Sequence, residues 1–218
     1  MKSWITTPQV TELLDALYAD AASNDPLARQ AAEAAIASGQ GYYQGMRKAY
    51  MAIGPDFGRL LYNLARTGRA KTIVEFGTSF GVSTIYLASA IRDNGGGKVI
   101  TTEFEPDKAA RARKNLAAAG LEEWVEFRVG DALQTLAEPP RDIDLIFLDG
   151  AKPLYIDVLR LLEPSLRSGG IVASDNTDHD GIKGFLDYIR NPANGYASAA
   201  ILTSEEHRSG HHEITVRN

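Results

Sequence analysis

The chain has 218 residues, 44% of them hydrophobic, and a formal net charge of −5, with lysines and arginines spread along it rather than clustered. One core of useful size can be built from that, and an α/β unit of this length need not divide, so a single domain over 1–218 is expected. The dispersed basic residues argue against a nucleic-acid partner, and the lack of cysteine removes disulfides, thiolate metal sites and a cysteine nucleophile.

The start, MKSWITTPQV, lacks the apolar core of a signal peptide, and no later run approaches the roughly 18 to 20 apolar residues of a membrane span. A soluble cytoplasmic protein with no membrane partner is expected. Thr7 then Pro8 is a helix start, and VTELLDALYADAA continues at helical spacing; a second helix is expected from Pro26 to Ser38. The stretch from Gly39 to Arg69 mixes aromatics, two methionines and several glycines. Within 1–69 it reads as N-terminal helices plus a substrate lid, although Tyr42, Tyr43, Met46, Tyr50 and Met51 fit equally well as packing between helices and sheet.

From Thr72 onward strands and helices alternate. Strands are expected at Thr72–Phe76, Lys98–Thr102, Val125–Val129, Ile143–Leu148 and Gly170–Ser174. Helices are expected from Val82 to Arg92, Pro106 to Gly120, Ala132 to Leu136, Pro153 to Leu162 and Ile182 to Arg190. Ala197–Thr203 and His212–Val216 read as a closing hairpin. The fold class is therefore α/β: a Rossmann-like, doubly wound, mostly parallel seven-stranded sheet with a C-terminal antiparallel hairpin and extra N-terminal helices.

Five of the apolar runs end on acids: Glu75, Glu103, Asp131, Asp149 and Asp175. Ligands of a parallel sheet bind outside the carboxyl ends of its strands, so the binding edge is negative. It repels a bare phosphate and suits a sulfonium, an amino group, a ribose diol or a divalent metal, which points to S-adenosylmethionine with a metal such as Mg²⁺. In EFGTSFG, glycines let backbone approach a ligand, and Gly77 and Gly81 lack the GxGxxG spacing of a dinucleotide site. Glu103 stands where such folds bind both ribose hydroxyls. The nearby Glu105 and Asp107 read as helix-start charges. Asp131 suits either the adenine amino group or a helix cap.

Asp149, Asp175 and Asn176 make a hard, oxygen-only partial shell that suits Mg²⁺ and leaves positions for a vicinal diol, against the alternative of turn and cap residues. Lys152, in DGAK, reaches towards the same ligand. A lysine near a metal can act as a base, whereas the default for its type is a solvated surface residue. His179 lies near these residues in sequence; His207, His211 and His212 fall in the hairpin, and no spacing suggests zinc.

VEFGTSFGVST, VITTEFEPDKAARARKN, VGDAL, DLIFLDGAK and LRSGGIVASDN, preceded by MAIGPDFGRLL, occur in the order seen in class I S-adenosylmethionine-dependent O-methyltransferases. More narrowly the chain resembles the cation-dependent catechol and caffeoyl-CoA group. The resemblance implies that Glu75, Gly77 and Ser83 line the methionine end of the cofactor, Glu103 the ribose, and Asp131 with Ala132 the adenine. Asp149 would serve cofactor, metal and catalysis, Asp175 and Asn176 would complete the metal site, and Lys152 would be the base. It also suggests a homodimer and a catechol-like acceptor. Ala151 stands where mammalian catechol enzymes carry a tryptophan, so the acceptor slot should be wider, and TDHDG departs from the group's more apolar sequence. The competing readings are an NAD-linked oxidoreductase on a similar sheet and a non-catalytic S-adenosylmethionine-binding protein.

Overall fold

Apolar strand residues alternate between two cores, because both faces of the sheet are covered. The computed structural model describes residues 3–39, 41–205 and 208–218. Its order is α1 (Pro8–Ala37), α2 (Tyr42–Gly45), α3 (Pro55–Thr67), β1 (Thr72–Phe76), α4 (Val82–Asp93), β2 (Lys98–Glu103), α5 (Pro106–Ala118), β3 (Val125–Val129), α6 (Ala132–Thr135), β4 (Ile143–Leu148), α7 (Tyr155–Leu162), β5 (Leu166–Asp175), α8 (Lys183–Ile189), β6 (Tyr196–Glu205) and β7 (Arg208–Arg217). The seven strands lie in the order β3-β2-β1-β4-β5-β7-β6. The first five are parallel, and β7 runs antiparallel to both β5 and β6.

Ile73, Leu145 and Phe147 point into a core shared with α1, α3, α4 and α5. Val74, Phe76, Ile146 and Leu148 point the other way, against α6, α7 and α8. This period-two division with both faces buried is what a doubly wound sheet requires. The fold thus has the expected class. No helix among the described residues is long and apolar enough to cross a membrane.

The N-terminal helices depart from expectation. Pro26 does not start a second helix; it lies inside one continuous α1. A proline removes one helical hydrogen bond, but contacts on both sides hold the chain. Asn24 donates to the Lys48 carbonyl (2.5 Å), and the Asp25 carboxylate accepts from the backbone N–H groups of Tyr50 (2.7 Å) and Met51 (2.9 Å). Beyond the proline, Ala28 and Ala32 pack on Met46 and Ala49. Strand β5 and the hairpin are also longer than expected, since β5 pairs with β4 from Leu166 and with β7 as far as Asp175, and β6 pairs with β7 from Tyr196 to Glu205.

One glycine shows how closely the turns are built. Gly97, just before β2, has φ +129°, and an added Cβ would overlap the Lys71 carbonyl. Gly95 also has positive φ, at +78°, but faces open space. Gly97→Ala is therefore expected to lower stability by more than about 2 kcal/mol, and Gly95→Ala by about 1 kcal/mol, in urea denaturation. Equal losses would contradict the steric account.

Candidate active site

Strand order reverses between β1 and β4, and the loops that follow these two strands part to opposite faces of the sheet. A cavity of about 400 Å³ opens at that point, lined by Gly77, Ser79, Ser83, Glu103, Asp131 and Asp149 among others. Two glycines let the loops pass. Gly77 has φ +102°, and a Cβ there would sit 2.7 Å from the Asp149 carbonyl oxygen; one at Gly150 would run into the Phe76 ring at 2.5 Å. Side chains at either position would push the loops apart and close the approach to the backbone.

The loop between β1 and α4 is fixed from below by Glu75, which is fully buried. Its Oε1 accepts from Ser83 Oγ (2.6 Å), and its Oε2 accepts from Thr84 Oγ1 (2.6 Å) and Thr101 Oγ1 (2.6 Å). Burial pushes its pKa up, and the three hydroxyl donors work against that shift. Glu75 lies beneath the loop and is not among the residues that line the cavity. Its side chain lies under the start of α4, so it shapes the loop, while Gly77 and Ser83 form part of the cavity wall.

Glu103, at the end of β2, lines the cavity. Its Oε1 accepts from the Glu105 N–H (2.9 Å) and its Oε2 from the Ser79 N–H (2.8 Å). Burial raises its pKa, opposed by these backbone donors and by the Lys108 ammonium. Asp131 caps α6, its Oδ1 accepting from the Leu133 N–H (2.9 Å), and also lines the cavity with Ala132, so the cap and the wall are one residue. Phe104, 71% exposed at the lip of the same cavity, is an aromatic surface that its place between two acids concealed.

The strand ends of β4 and β5 carry the chemistry-bearing set. Lys152 is buried, with its Nζ 3.1 Å from Asp149 Oδ1 and 2.8 Å from the Tyr155 hydroxyl, so it is no solvated surface lysine. Tyr155 in turn donates to the Asp175 carbonyl (3.2 Å). Asp175 Oδ1 accepts from the Asn176 N–H (2.7 Å). His212 Nδ1 lies 2.7 Å from that same oxygen without hydrogen-bond alignment, and its ring stacks on Phe57 at 3.6 Å. Burial pushes Asp149 up to about 7, the Lys152 ammonium opposes this, and the charge of Asp175 adds to it. Asp149 lines the cavity; Lys152, Asp175 and Asn176 do not.

Two buried carboxylates that repel one another, supplemented by an amide side chain, have the donor chemistry of a hard divalent cation. Among the described residues no three His, Asp or Glu side chains converge as a metal cage. The set Asp149, Asp175 and Asn176 brings only two carboxylates, which matches a cation that keeps several positions for water or substrate.

The segment expected as a lid divides its roles. Met46 and Tyr50 are buried against neighbouring helices, while Tyr50, Met51, Ala52 and Ile53 also form part of the cavity wall. The side chain of Tyr43 and all of His207 lie outside the described residues. His179 is exposed and caps a turn, its Nδ1 accepting from the Gly181 N–H (3.2 Å), and it takes no part in the cavity wall. Tyr155 and Lys108 go unnoticed in the sequence, and His212 falls in the hairpin without a role. Only Tyr155 carried a signal, three residues after Lys152 on the same helical turn.

A family model described as a methyltransferase domain matches residues 74–177. The catechol O-methyltransferase of Niastella koreensis is 37% identical over 135 residues, which is 60% of this chain and 60% of its own length. Catechol O-methyltransferase B of Danio rerio is 31% identical over 193 residues, 85% of this chain and 69% of its own. The chain thus spans about 60% of the length of the first of these relatives. The crystal structure of an O-methyltransferase from Bacillus cereus in complex with SAH superposes with a TM-score of 0.69 at 28% identity, over 77% of this chain and 83% of that one.

The buried carboxylate under the loop has a consequence for stability. Because the folded-state pKa of Glu75 is raised, the folded protein holds that proton more tightly than the unfolded chain, whose glutamates titrate near about 4.3. Stability is then lost as pH rises from that value through the folded-state value. Urea denaturation of Glu75→Gln is expected to show the variant gaining on the wild type as pH rises above about 4.3. A difference independent of pH would contradict it.

Proposed function

The chain belongs to the class I S-adenosylmethionine-dependent O-methyltransferases of the catechol and caffeoyl-CoA type, and from that premise we propose that it methylates a hydroxyl of a small, vicinal-dihydroxy aromatic acceptor with the help of a divalent metal. The observation that carries the reading is the pairing of Lys152 with Asp149, which lines the same cavity as Glu103, Phe104, Asp131 and Ala132. Glu103 supplies acceptors for ribose hydroxyls, and Asp131 with Ala132 and the Phe104 ring offers an edge and a surface for adenine. Ser83 and the backbone at Gly77 bound the methionine end.

When bound, a divalent cation held by Asp149, Asp175 and Asn176 would supply the positive charge that makes an acceptor hydroxyl more acidic. Lys152, in its neutral amine form after its ammonium has released a proton to solvent, takes the hydroxyl proton onto Nζ. The oxygen then forms a bond to the methyl carbon as the carbon–sulfur bond breaks, and the electron pair returns to sulfur to leave a neutral thioether. Tyr155 and Asp149 hold the Lys152 amine in place, and the apolar strap of Met51, Ala52 and Ile53 keeps water away, so the chain contributes mainly orientation and a dry site. Ala151 lines the cavity with only a methyl group, which suits an acceptor broader than simple catechol.

The same reading places the enzyme in the cytoplasm as a homodimer. Leu27 and Ile36, exposed by 66% and 49% on α1, support a contact through the N-terminal helices. Light scattering across a concentration series is expected to show a dimer, and a monomer throughout would remove that part.

Lys152→Met is expected to lower kcat at least about 100-fold while the Kd for S-adenosylmethionine stays within about threefold, by methyl-transfer kinetics and calorimetry. A chelator should abolish turnover of the wild type. Wild-type turnover in K152M would contradict the assignment of the base, and turnover indifferent to chelation would remove the metal.

A further inference from the structure

Lys108 lies in the first turn of α5, within a segment rich in exposed charge, yet it is only 6% exposed and lines the cavity. Its Nζ has one oxygen partner, Ser79 Oγ at 3.2 Å, with Met51 Sδ at 4.0 Å and the Phe80 ring centre at 5.4 Å. Among the described residues no carboxylate forms an ion pair with it. An ammonium has three donors and no acceptor, so this one is buried and incompletely paired at the wall of the cavity. Such a group is costly to leave unsatisfied.

The surroundings indicate what completes it. Ser79 is shared: its N–H donates to Glu103 Oε2 (2.8 Å), its hydroxyl donates to the Tyr50 carbonyl (2.6 Å), and its Oγ accepts from Lys108. Lys108 and Glu103 therefore flank one loop residue on one side of the cavity. Burial lowers the pKa of Lys108, and Glu103 is the strongest of the charges opposing that. A group placed between them meets an acceptor on one side and a donor on the other, which a hydroxyl satisfies and a methyl or an ammonium group does not.

We propose that Lys108 is a binding residue that donates a hydrogen bond to a hydroxyl oxygen of the bound ribose, so that Glu103 and Lys108 form an acceptor–donor clamp on the sugar. This rests on the S-adenosylmethionine reading above and extends it. A carboxylate alone selects a diol only through the protons it receives. The added ammonium selects the oxygen as well, and a sugar lacking that oxygen leaves a buried charge unpaired.

The test is calorimetry of S-adenosylhomocysteine and its 2′-deoxy and 3′-deoxy forms against the wild type, Lys108→Met and Lys108→Gln. In the wild type, loss of the engaged hydroxyl is expected to weaken binding about tenfold or more. In K108M that loss should shrink at least about fivefold, with K108Q between the two because its amide keeps a donor. K108M exchanges an unpaired buried charge for an apolar chain of similar length and should fold; were it not to, K108Q carries the comparison. Deoxy penalties identical to the wild type for both hydroxyls in the variants would overturn the proposal. Wild type that binds no S-adenosylhomocysteine would instead overturn the cofactor reading, and this with it.

Discussion

Glu75 is a carboxylate buried at the centre of the sheet, its two oxygens occupied by three hydroxyls. A charge in that position must be hydrogen-bonded or neutralised, and the requirement fixes much of what surrounds it. Ser83 and Thr84 open α4, Thr101 belongs to β2, and Glu75 itself is in β1, so one side chain sets the distance between two strands and the helix that follows them. The loop at Gly77 to Gly81 is the chain left between those anchors. Its shape decides where backbone, Ser79 and Ser83 can meet a ligand, and it leaves Ser79 at φ +48° with its N–H turned to Glu103.

Negative charge accumulates at the same edge, and the protein answers it locally. Lys152 stands against Asp149, Lys108 near Glu103, and His212 beside Asp175. Both lysines are buried, so each acts at short range in a medium of low dielectric, while His212 adds a ring nitrogen close to Asp175. The strap that covers the edge is held from α1. Asp25 accepts from two successive backbone N–H groups of the strap, and the Tyr50 hydroxyl donates to Asp20 at 2.5 Å. Burial, with Asp20 adding to it, pushes the Tyr50 phenol up to about 12, which keeps it a donor throughout the neutral range. The N-terminal helix, the strap and the cavity are in this way one mechanical unit.

Strands β1 to β4 were legible to within a residue, because each is a short apolar run closed by an acid or a glycine, and runs of that kind have few other uses. The acids at their ends marked the site for the same reason. Pro26 misled because the local penalty of a proline is visible in sequence, while the Asp25 and Asn24 contacts that offset it come from residues about 25 positions away. The three hydroxyls that hold Glu75 could not be read in advance, since alternation along a strand gives two faces without saying which helix or neighbouring strand covers each. Lys108 was invisible: in PDKAARARKN it looks like one more charge on a solvated helix, and only Ser79, Met51 and Phe80 closing over it make it internal.

Transfer of a labelled methyl group from S-adenosylmethionine to paired acceptors, a vicinal dihydroxy aromatic and its monohydroxy counterpart, tests the central claim most directly. The geometry of Lys152 beside Asp149, with Asp175 and Asn176 behind, predicts label on the diol and little on the monohydroxy compound. Equal labelling of both would contradict chelation of a diol, and labelling of neither across a broad panel would contradict the assigned acceptor class.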